Sequence, residues 1–242
     1  MDHTLADVYA LLHAQHWWWQ ARERFLLDRM SEAELCDGRA ILDVGCAAGS
    51  FFPALTKCGE VYGLEPDAGL RERAGKWRER IHAGPFDDTY EPGRKFGLIL
   101  MLDVLEHIGD AHAALQRALE LLEPDGTLLI TVPAFQQLWT RHDEINRHYL
   151  RYDRQSFRHL ADGVGLEVRE MRYFFQWLVV PKLAVRALEA ISNGAPRPPR
   201  LPPRWLNHAL YLLTRGEQAI TRRARIPVGT SLLVIGGHPR SR

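Results

Sequence analysis

The fold is decided by the stretch Ala40-Ile41-Leu42-Asp43-Val44-Gly45-Cys46-Ala47-Ala48-Gly49-Ser50-Phe51-Phe52 of this 242-residue chain. Its apolar first half predicts a strand, and the small residues after it predict a turn that opens a helix. Gly45 and Gly49 remove side chains that would hold a ligand away from backbone N–H groups at a helix N-terminus. Glu65, twenty positions beyond Gly45, ends the next predicted strand, where a carboxylate can accept both hydroxyl protons of a ribose. The stretch therefore predicts a βαβ unit that binds an adenosine-containing ligand.

The negative charge of Asp43 helps to distinguish between the possible adenosine-containing ligands. The turn lacks the full G-x-G-x-x-G pattern, and Asp43 lies on the strand just before it. A carboxylate there would repel a pyrophosphate, which disfavours a nicotinamide-dependent oxidoreductase. An acidic group instead suits a cationic ligand, and S-adenosylmethionine carries both an ammonium and a sulfonium.

Three segments resemble motifs of the class I S-adenosylmethionine-dependent methyltransferases. The segment 42–49 is similar to their first motif, 96–108 to their fourth-strand motif, and 121–133 to the turn and fifth strand that follow. The resemblance covers roughly residues 38–175. It implies an α/β fold with a Rossmann-like, doubly wound sheet of about seven strands, mostly parallel with an antiparallel last strand. It also implies an enzyme that transfers a methyl group from S-adenosylmethionine and releases S-adenosylhomocysteine.

The resemblance assigns cofactor-binding roles to particular positions. The methionine end of the cofactor would be surrounded by Asp43, Gly45, Cys46, Ala47 and Gly49, and its ribose would be held by Glu65. The adenine or the sulfonium would be bordered by Phe86, Asp87 and Leu102. Asp103 would line the pocket with Leu102, and Pro66 is a further predicted cofactor-binding residue. Ala47 stands where many members have a glycine, and Pro85 where members often have an acid that contacts adenine. Asp87 or the backbone around Phe86 would substitute for that acid.

The N-terminal segment joins bulky aromatic residues to arginines. Tyr9 and the run His16-Trp17-Trp18-Trp19 precede Arg22. Similar H-W-W segments occur in a subset of the family, where an N-terminal helix covers the cofactor, and Arg22 would then pair with the methionine carboxylate. Packing of the tryptophans onto the sheet is the alternative, and both can hold at once.

Helical and strand patterns of hydrophobic residues divide the chain into three parts. Residues 1–37 form a predicted helical cap, with a helical pattern over 5–35 that includes Leu5 and Val8. Residues 38–175 and 228–242 form the predicted cofactor-binding domain. Its strands are predicted near 40–44, 60–65, 80–83, 96–101 and 127–132, and an antiparallel hairpin is predicted from 166–174 and 231–236. Residues 176–227 are an insertion with helical patterns at 177–192 and 204–224, divided by a proline-rich stretch at 195–203.

The insertion is strongly basic, with nine basic and two acidic residues between Lys182 and Arg225. It could act as a lid over the acceptor, as an oligomer contact such as a homodimer interface, or as a peripheral membrane surface. Nucleic acid is disfavoured as a partner because no stacking module is evident.

Methyl transfer from a sulfonium is an in-line displacement that mainly requires alignment, but an oxygen or nitrogen acceptor needs a proton removed. His107 at the end of the fourth strand, and His142 and His148 after the fifth strand, are the candidate bases. As alternatives, Glu106 and His107 would begin a helix and brace the sheet, and the H-D-E…H-Y-x-R-Y segment would be a loop fixed by arginine–acid pairs. No metal is expected, because His142, Asp143 and His148 do not match an H-E-x-x-H pattern.

Composition sets the remaining expectations. The formal net charge is +1 and 46% of residues are hydrophobic, which is typical of a globular domain. Cys36, Cys46 and Cys58 are an odd set without metal-ligand spacing, so we expect reduced thiols and no disulfide. The acidic N-terminus does not resemble a secretory signal, and no apolar run is long enough to span a bilayer. We therefore expect a cytoplasmic protein, with peripheral membrane contact as an alternative, that methylates a small or lipid-like acceptor. The other functional hypothesis is a non-catalytic scaffold that binds the cofactor and uses the insertion to bind partners.

Overall fold

The computed structural model describes residues 11–191 and 200–240. The strands are β1 (Gly38–Val44), β2 (Gly59–Glu65), β3 (Ile81–Ala83), β4 (Phe96–Leu102), β5 (Leu122–Pro133), β6 (Glu167–Phe174) and β7 (Ser231–Gly237). The helices are α1 (Trp17–Glu32), α2 (Phe52–Leu55), α3 (Ala68–Glu72), α4 (Ala111–Leu121), α5 (Arg141–Ile145), α6 (Arg154–Val164), α7 (Val179–Ile191) and α8 (Arg204–Thr221).

The strands form one sheet in the order β3-β2-β1-β4-β5-β7-β6. β1 to β5 are parallel, and β7 runs antiparallel to both β5 and β6. The predicted fold class and the predicted pairing of the last two strands are therefore confirmed. The strand order reverses between β1 and β4, and ligands of open α/β sheets bind outside the carboxyl ends of the strands at such a point.

Helices cover both faces of the sheet, as the continuous apolar runs of its central strands require. Successive residues of β4 alternate between two hydrophobic cores: Ile99 and Met101 face the side covered by α4 and α6, whereas Leu98 and Leu100 face the side covered by α1. All four side chains are buried. The central strands are thus fixed from both sides, which holds their carboxyl ends in place around the cleft.

Local differences from the predicted boundaries have clear causes. The predicted 5–35 helical segment is interrupted at His16, whose Nδ1 accepts a hydrogen bond from the backbone N–H of Trp18 at 3.2 Å and so caps α1. Glu106 and His107 belong to a separate 3-10 turn rather than to the start of α4. β5 begins at Leu122, because Phe96 of β4 pairs with Leu122 before the register shifts. The predictions for Leu5, Val8, Tyr9 and 195–199 lie outside the described residues.

The expectation of three reduced thiols is wrong, because Cys36 and Cys58 form a disulfide. Cys36 lies two residues before β1, and Cys58 immediately precedes the neighbouring parallel strand β2. The backbone N–H of Gly38 donates to the carbonyl of Cys58 at 2.9 Å, so the strand pairing itself brings the two cysteines together. Cys46 is free and buried.

The insertion packs against the rest of the chain through both helices. α8 lies on α1, where Arg215 pairs with Asp28 at 2.7 Å and the amide of Gln218 donates to the Ala21 carbonyl at 3.3 Å. α7 lies near the chain after β5, where the backbone N–H of Arg141 donates to the Glu189 carboxylate at 3.0 Å. Across residues 11–191 and 200–240, no helix combines the length and the apolar character needed to cross a membrane. The proposed division at 176–227 stays a prediction.

Candidate functional site

The turn after β1 has the backbone conformation that its glycines predict. Gly45 and Gly49 have φ angles of +69° and +70°, in the left-handed region that glycine adopts without strain. A Cβ added to Gly45 would lie 2.8 Å from Cγ2 of Val104, so this position also lacks space for a side chain. The backbone N–H of Gly45 donates to the Leu64 carbonyl at 2.8 Å, which fixes the turn against β2.

Ala47 also has a positive φ, of +50°, in the same turn. A left-handed conformation costs an L-residue about 1 kcal/mol, so this departure from the glycine common in the family leaves local strain. We expect Ala47→Gly to raise the free energy of unfolding by about 0.5–1 kcal/mol, because relief of strain outweighs the added chain entropy. Urea denaturation would measure this, with Ala48→Gly as the control. Destabilisation by Ala47→Gly would contradict the assignment of strain.

Glu65 is held at the end of β2 by two backbone groups. Its Oε2 accepts from the N–H of Ala47 at 2.8 Å, and its Oε1 accepts from the N–H of Asp67 at 2.9 Å. The side chain is buried, and burial raises the pKa of its carboxyl. Each carboxylate oxygen has a second lone pair, so the residue can accept ribose hydroxyls while it orders the glycine turn. Its predicted role as the ribose ligand stays a prediction.

Arg22 lies beside the carboxylates at the ends of β1 and β4. Its Nη2 is 2.6 Å from Oδ2 of Asp103 and donates to Oγ1 of Thr131 at 3.1 Å. Thr131 in turn donates to Oδ1 of Asp103 at 3.1 Å. Burial raises the pKa of the neighbouring Asp43 carboxyl, and the charge of Arg22 partly opposes that rise. One cation from α1 thus faces two acids of the cleft, and its pairing with a methionine carboxylate stays a prediction.

We expect Asp43 to make cofactor affinity depend on pH. Burial raises the pKa of its carboxyl to about 7, with the Arg22 charge opposing and the Glu65 charge adding to that shift. The carboxylate form attracts the cationic cofactor, whereas the protonated form present at lower pH does not. We expect the affinity for S-adenosylmethionine to rise by up to about tenfold per pH unit below about pH 7 and to level off above it.

Titration calorimetry between about pH 5.5 and pH 8 would measure this dependence. Asp43→Asn should flatten it and weaken binding at the upper end. An affinity of the unmodified protein that does not change over this range would contradict the role assigned to Asp43.

The other predicted cofactor residues lie at the ends of β1, β2 and β4 or in the loop after β3. Leu102 packs in the core on the α1 side, and Phe86 packs against the opposite core. Asp87 is exposed and accepts from the backbone N–H of Thr89 at 2.9 Å, so it already caps its own loop. Burial raises the pKa of the Cys46 thiol, which keeps this residue neutral beside the turn. Pro66 is exposed immediately after Glu65.

Asp143 is the centre of the segment that follows β5. Its side chain is 0% exposed, and it accepts two hydrogen bonds from Arg151, from Nε to Oδ1 at 2.8 Å and from Nη2 to Oδ2 at 3.0 Å. The backbone N–H of Thr140 donates to Oδ2 at 2.9 Å, and Nδ1 of His148 lies 2.9 Å from Oδ1. Burial alone would raise the pKa of this carboxyl, but the His148 and Arg151 contacts hold it well below its usual range. The arginine–acid pairing predicted for this segment is therefore present, and it fixes the orientation of His148.

His107 and His148 come together although they lie on different segments. Their ring centroids are 4.6 Å apart and the rings meet edge to face. Partial desolvation of the ring lowers the pKa of His107, and the charge of His148 lowers it further. Glu106 lies beside this pair with a buried carboxyl whose pKa is raised by burial and by the Asp103 charge. His107 and His148 thus form one cluster at the end of β4, next to the predicted cofactor residue Asp103.

The imidazole of His142 lies outside the cluster formed by His107 and His148. Its Nε2 lies 2.9 Å from Nδ2 of Asn146, one helical turn away. Burial lowers its pKa to about 4, with the Lys182 charge as a second cause. The ring of the third candidate base is therefore paired with Asn146 at the C-terminal end of α5.

Thr131 and Glu106 complete the site, although neither was predicted to act in it. Thr131 is a polar residue in the apolar run 128–133 that ends its strand, and that contrast is the signal that could have indicated it. Glu106 was expected only to brace the sheet. Its contact with His148 depends on folding of the 139–152 segment, which no local pattern reveals.

The fold and the cleft define the class of protein: a Rossmann-like domain with a glycine turn after β1, a buried acid at the end of β2 and an acidic residue near the end of β1, which suit a cationic nucleoside cofactor. A family model described as a methyltransferase domain matches residues 5–171. Since this is more than half of the chain, the protein belongs to the methyltransferase-domain family.

One curated relative is the ubiquinone biosynthesis O-methyltransferase of Rhodopseudomonas palustris (strain HaA2), which is 30% identical over 100 residues. The match covers 38% of this chain and 39% of that protein, so the chain spans about two fifths of the length of the curated relatives it matches.

Two solved structures show the shared fold. An S-adenosylmethionine-dependent methyltransferase from Clostridium acetobutylicum ATCC 824 has a TM-score of 0.58 at 10% identity, covering 92% of both chains. Magnesium protoporphyrin IX methyltransferase from Synechocystis PCC 6803, with bound S-adenosylhomocysteine, has a TM-score of 0.56 at 16% identity, covering 70% of this chain and 88% of that one.

These findings confirm the methyltransferase class and S-adenosylmethionine as the cofactor. The narrower subset, defined by the H-W-W and H-D-E…H-Y-x-R-Y segments, stays a prediction.

Proposed function

We propose that this protein transfers the methyl group of S-adenosylmethionine to a hydroxyl oxygen of a small, lipid-like acceptor. The observation that carries the proposal is the pair of imidazoles, His107 and His148, 4.6 Å apart next to Asp103 at the end of β4. The name of the relatives that match about two fifths of this chain, ubiquinone biosynthesis O-methyltransferase, supports an oxygen acceptor.

The imidazole pair supplies what an oxygen nucleophile needs. A new C–O bond forms as the C–S bond breaks, and the sulfur leaves with the bonding electrons as neutral S-adenosylhomocysteine. The hydroxyl proton must be released in the same process. The lowered pKa of His107 favours the neutral form of this imidazole. The Asp143 carboxylate holds Nδ1 of His148, so the other ring nitrogen is directed away from Asp143. The pair is therefore suited to activating a hydroxyl.

The apolar character of the acceptor is inferred from the insertion. Exposed hydrophobic side chains lie along α7 and α8, where a soluble monomer would normally place polar residues. They are Val180, Leu183, Val185, Leu188, Ile191, Trp205, Leu212, Leu213 and Ile220. α7 contacts the chain after β5 through Arg141 and Glu189, so this surface borders the segment that carries His148. We assign the insertion to acceptor binding as a lid, with basic residues that also suit a peripheral position at an anionic membrane.

A turnover assay with radiolabelled S-adenosylmethionine tests the proposal. Matched acceptors would be a phenol with a prenyl tail, the same phenol without the tail, and the tailed amine analogue. We expect a methyl ether from the tailed phenol and slower turnover without the tail. His148→Ala should lower kcat without changing the Kd of the cofactor, whereas His159→Ala, an exposed histidine of α6, should change neither.

Methylation of the amine in preference to the phenol would overturn the assignment of an oxygen acceptor. Cofactor binding with no methylated product from any acceptor or cell extract would instead favour the non-catalytic scaffold.

A further inference from the structure

We infer that Glu106, His107 and His148 form a binding site for one divalent transition-metal ion of the zinc class. One ligand atom from each side chain can be chosen so that all three lie within 4.8 Å of one another. The trio combines the 3-10 turn after β4 with the segment after α5, so the fold, and not a sequence motif, brings it together.

The buried carboxyl of Glu106 points to a ligand independently of the two histidines. The residue is 1% exposed, and its Oε2 has no hydrogen-bond partner within the described ranges of the chain. A buried polar atom without a partner is destabilising, and native structures keep such atoms mainly where a function needs them. A cation bound at this position would be a partner for Oε2 of Glu106. The contact between the two imidazole rings does not supply one.

Both histidines are oriented by partners behind them, as metal-binding histidines usually are. Nδ1 of His148 lies 2.9 Å from Asp143, which leaves Nε2 as the available ligand atom. Asp143 is itself fixed by the two hydrogen bonds from Arg151. The backbone of Asn146 lies beside the ring of His107. A solvated loop does not require a histidine oriented by a carboxylate and a buried arginine, so this arrangement indicates that the position of His148 has a function.

The donor set selects the kind of metal. Two imidazole nitrogens and one carboxylate oxygen suit Zn²⁺, Fe²⁺ or Mn²⁺ better than Ca²⁺ or Mg²⁺, which prefer oxygen ligands. Metal–ligand bonds of about 2.0–2.2 Å would draw the three ligand atoms to roughly 3.3 Å apart. His107 is exposed and can make that adjustment. Three protein ligands leave one or more coordination positions open.

The role of the ion rests on the proposed function. An acceptor hydroxyl at the open position would have its pKa lowered by the cation, so that its proton passes to solvent water. The oxygen then attacks the methyl carbon, and the sulfur keeps the electron pair of the broken C–S bond. In this arrangement the two imidazoles hold the activating group and do not themselves remove the proton.

Metal binding can be measured without any acceptor. The full-length protein, stripped of metal with a chelator and dialysed, would be titrated with Zn²⁺ and Mn²⁺ by calorimetry and with Co²⁺ by visible absorption. We expect one ion per chain and a cobalt spectrum that shows imidazole ligation. His107→Ala and Glu106→Gln should each weaken binding by more than about 100-fold. His159→Ala should bind as the unmodified protein does, because its side chain is exposed on α6.

The exposed position of His107 keeps the test usable if Glu106→Gln fails to fold. Binding of less than one ion per chain, or equal binding by His107→Ala and the unmodified protein, would overturn the site. Failure of the proposed function is separately visible. If methyl ether formation continues in the presence of a chelator, the metal site is contradicted as the activating group but the oxygen acceptor is supported. If the protein binds metal tightly but methylates no hydroxyl, the metal site is supported and the oxygen acceptor is contradicted.

Discussion

Asp143→Ala is expected to lower the free energy of unfolding by about 3–5 kcal/mol, a large fraction of the stability of an ordinary domain. The change removes the carboxylate that accepts both hydrogen bonds from Arg151, whose own side chain is 3% exposed. It therefore leaves a buried guanidinium without its counter-charge, which costs more than the lost hydrogen bonds alone. The capping interaction with the Thr140 backbone is lost as well.

Chemical denaturation would measure the loss, with Glu144→Ala as the matched control. Glu144 lies next to Asp143 in α5 but is exposed, so its removal should change stability by no more than about 0.5 kcal/mol. Equal effects of the two substitutions would show that Asp143 is not the organising residue of this segment. Loss of Asp143 should also release His148, so kcat should fall even at temperatures where the variant stays folded.

Glu65→Ala should weaken binding of S-adenosylmethionine by about 100-fold or more. Hydrogen bonds to a charged acceptor contribute about 1.5–3 kcal/mol each, and the proposed ribose contacts number two. The substitution also removes the acceptors for the N–H groups of Ala47 and Asp67, which hold the glycine turn beside β2. Both losses act on the cofactor, so the effect should appear in its Kd.

Glu60→Ala is the control for this experiment, because Glu60 lies on the same strand and is exposed. Its ion pairs with Arg80 and Arg94 are at the surface, where such pairs contribute little. Cofactor affinity should therefore be unchanged in Glu60→Ala. A Kd for Glu65→Ala within about twofold of the unmodified protein would contradict the ribose role.

The sheet could be predicted because its signals are local. Apolar runs of strand length, separated by helical patterns, indicated the parallel strands, and the glycine turn with Glu65 located the cleft. The long separation of β6 and β7 did not obscure their pairing, since each strand carries its own pattern. Helix limits in the cap were less accurate, because the break depends on one side chain, the His16 cap of α1.

The contacts that determine the chemistry depend on tertiary structure. Cys36 and Cys58 meet because β1 and β2 pair side by side, and composition alone indicated free thiols. Arg22 reaches Asp103 only because α1 packs near the carboxyl ends of the strands. Likewise, Glu106 and His148 become neighbours only when the segment after β5 folds back over the end of β4. Contacts between residues far apart in the chain produce no periodic pattern in the sequence, so they could not be predicted from it.

A crystal structure of the protein with S-adenosylhomocysteine would test the central claim most directly. We expect both ribose hydroxyls to lie within hydrogen-bond distance of Glu65, the amino group to lie near Asp43, and Arg22 to contact the methionine carboxylate. Adenosylhomocysteine bound elsewhere, or bound in the cleft with its ribose turned away from Glu65, would contradict it.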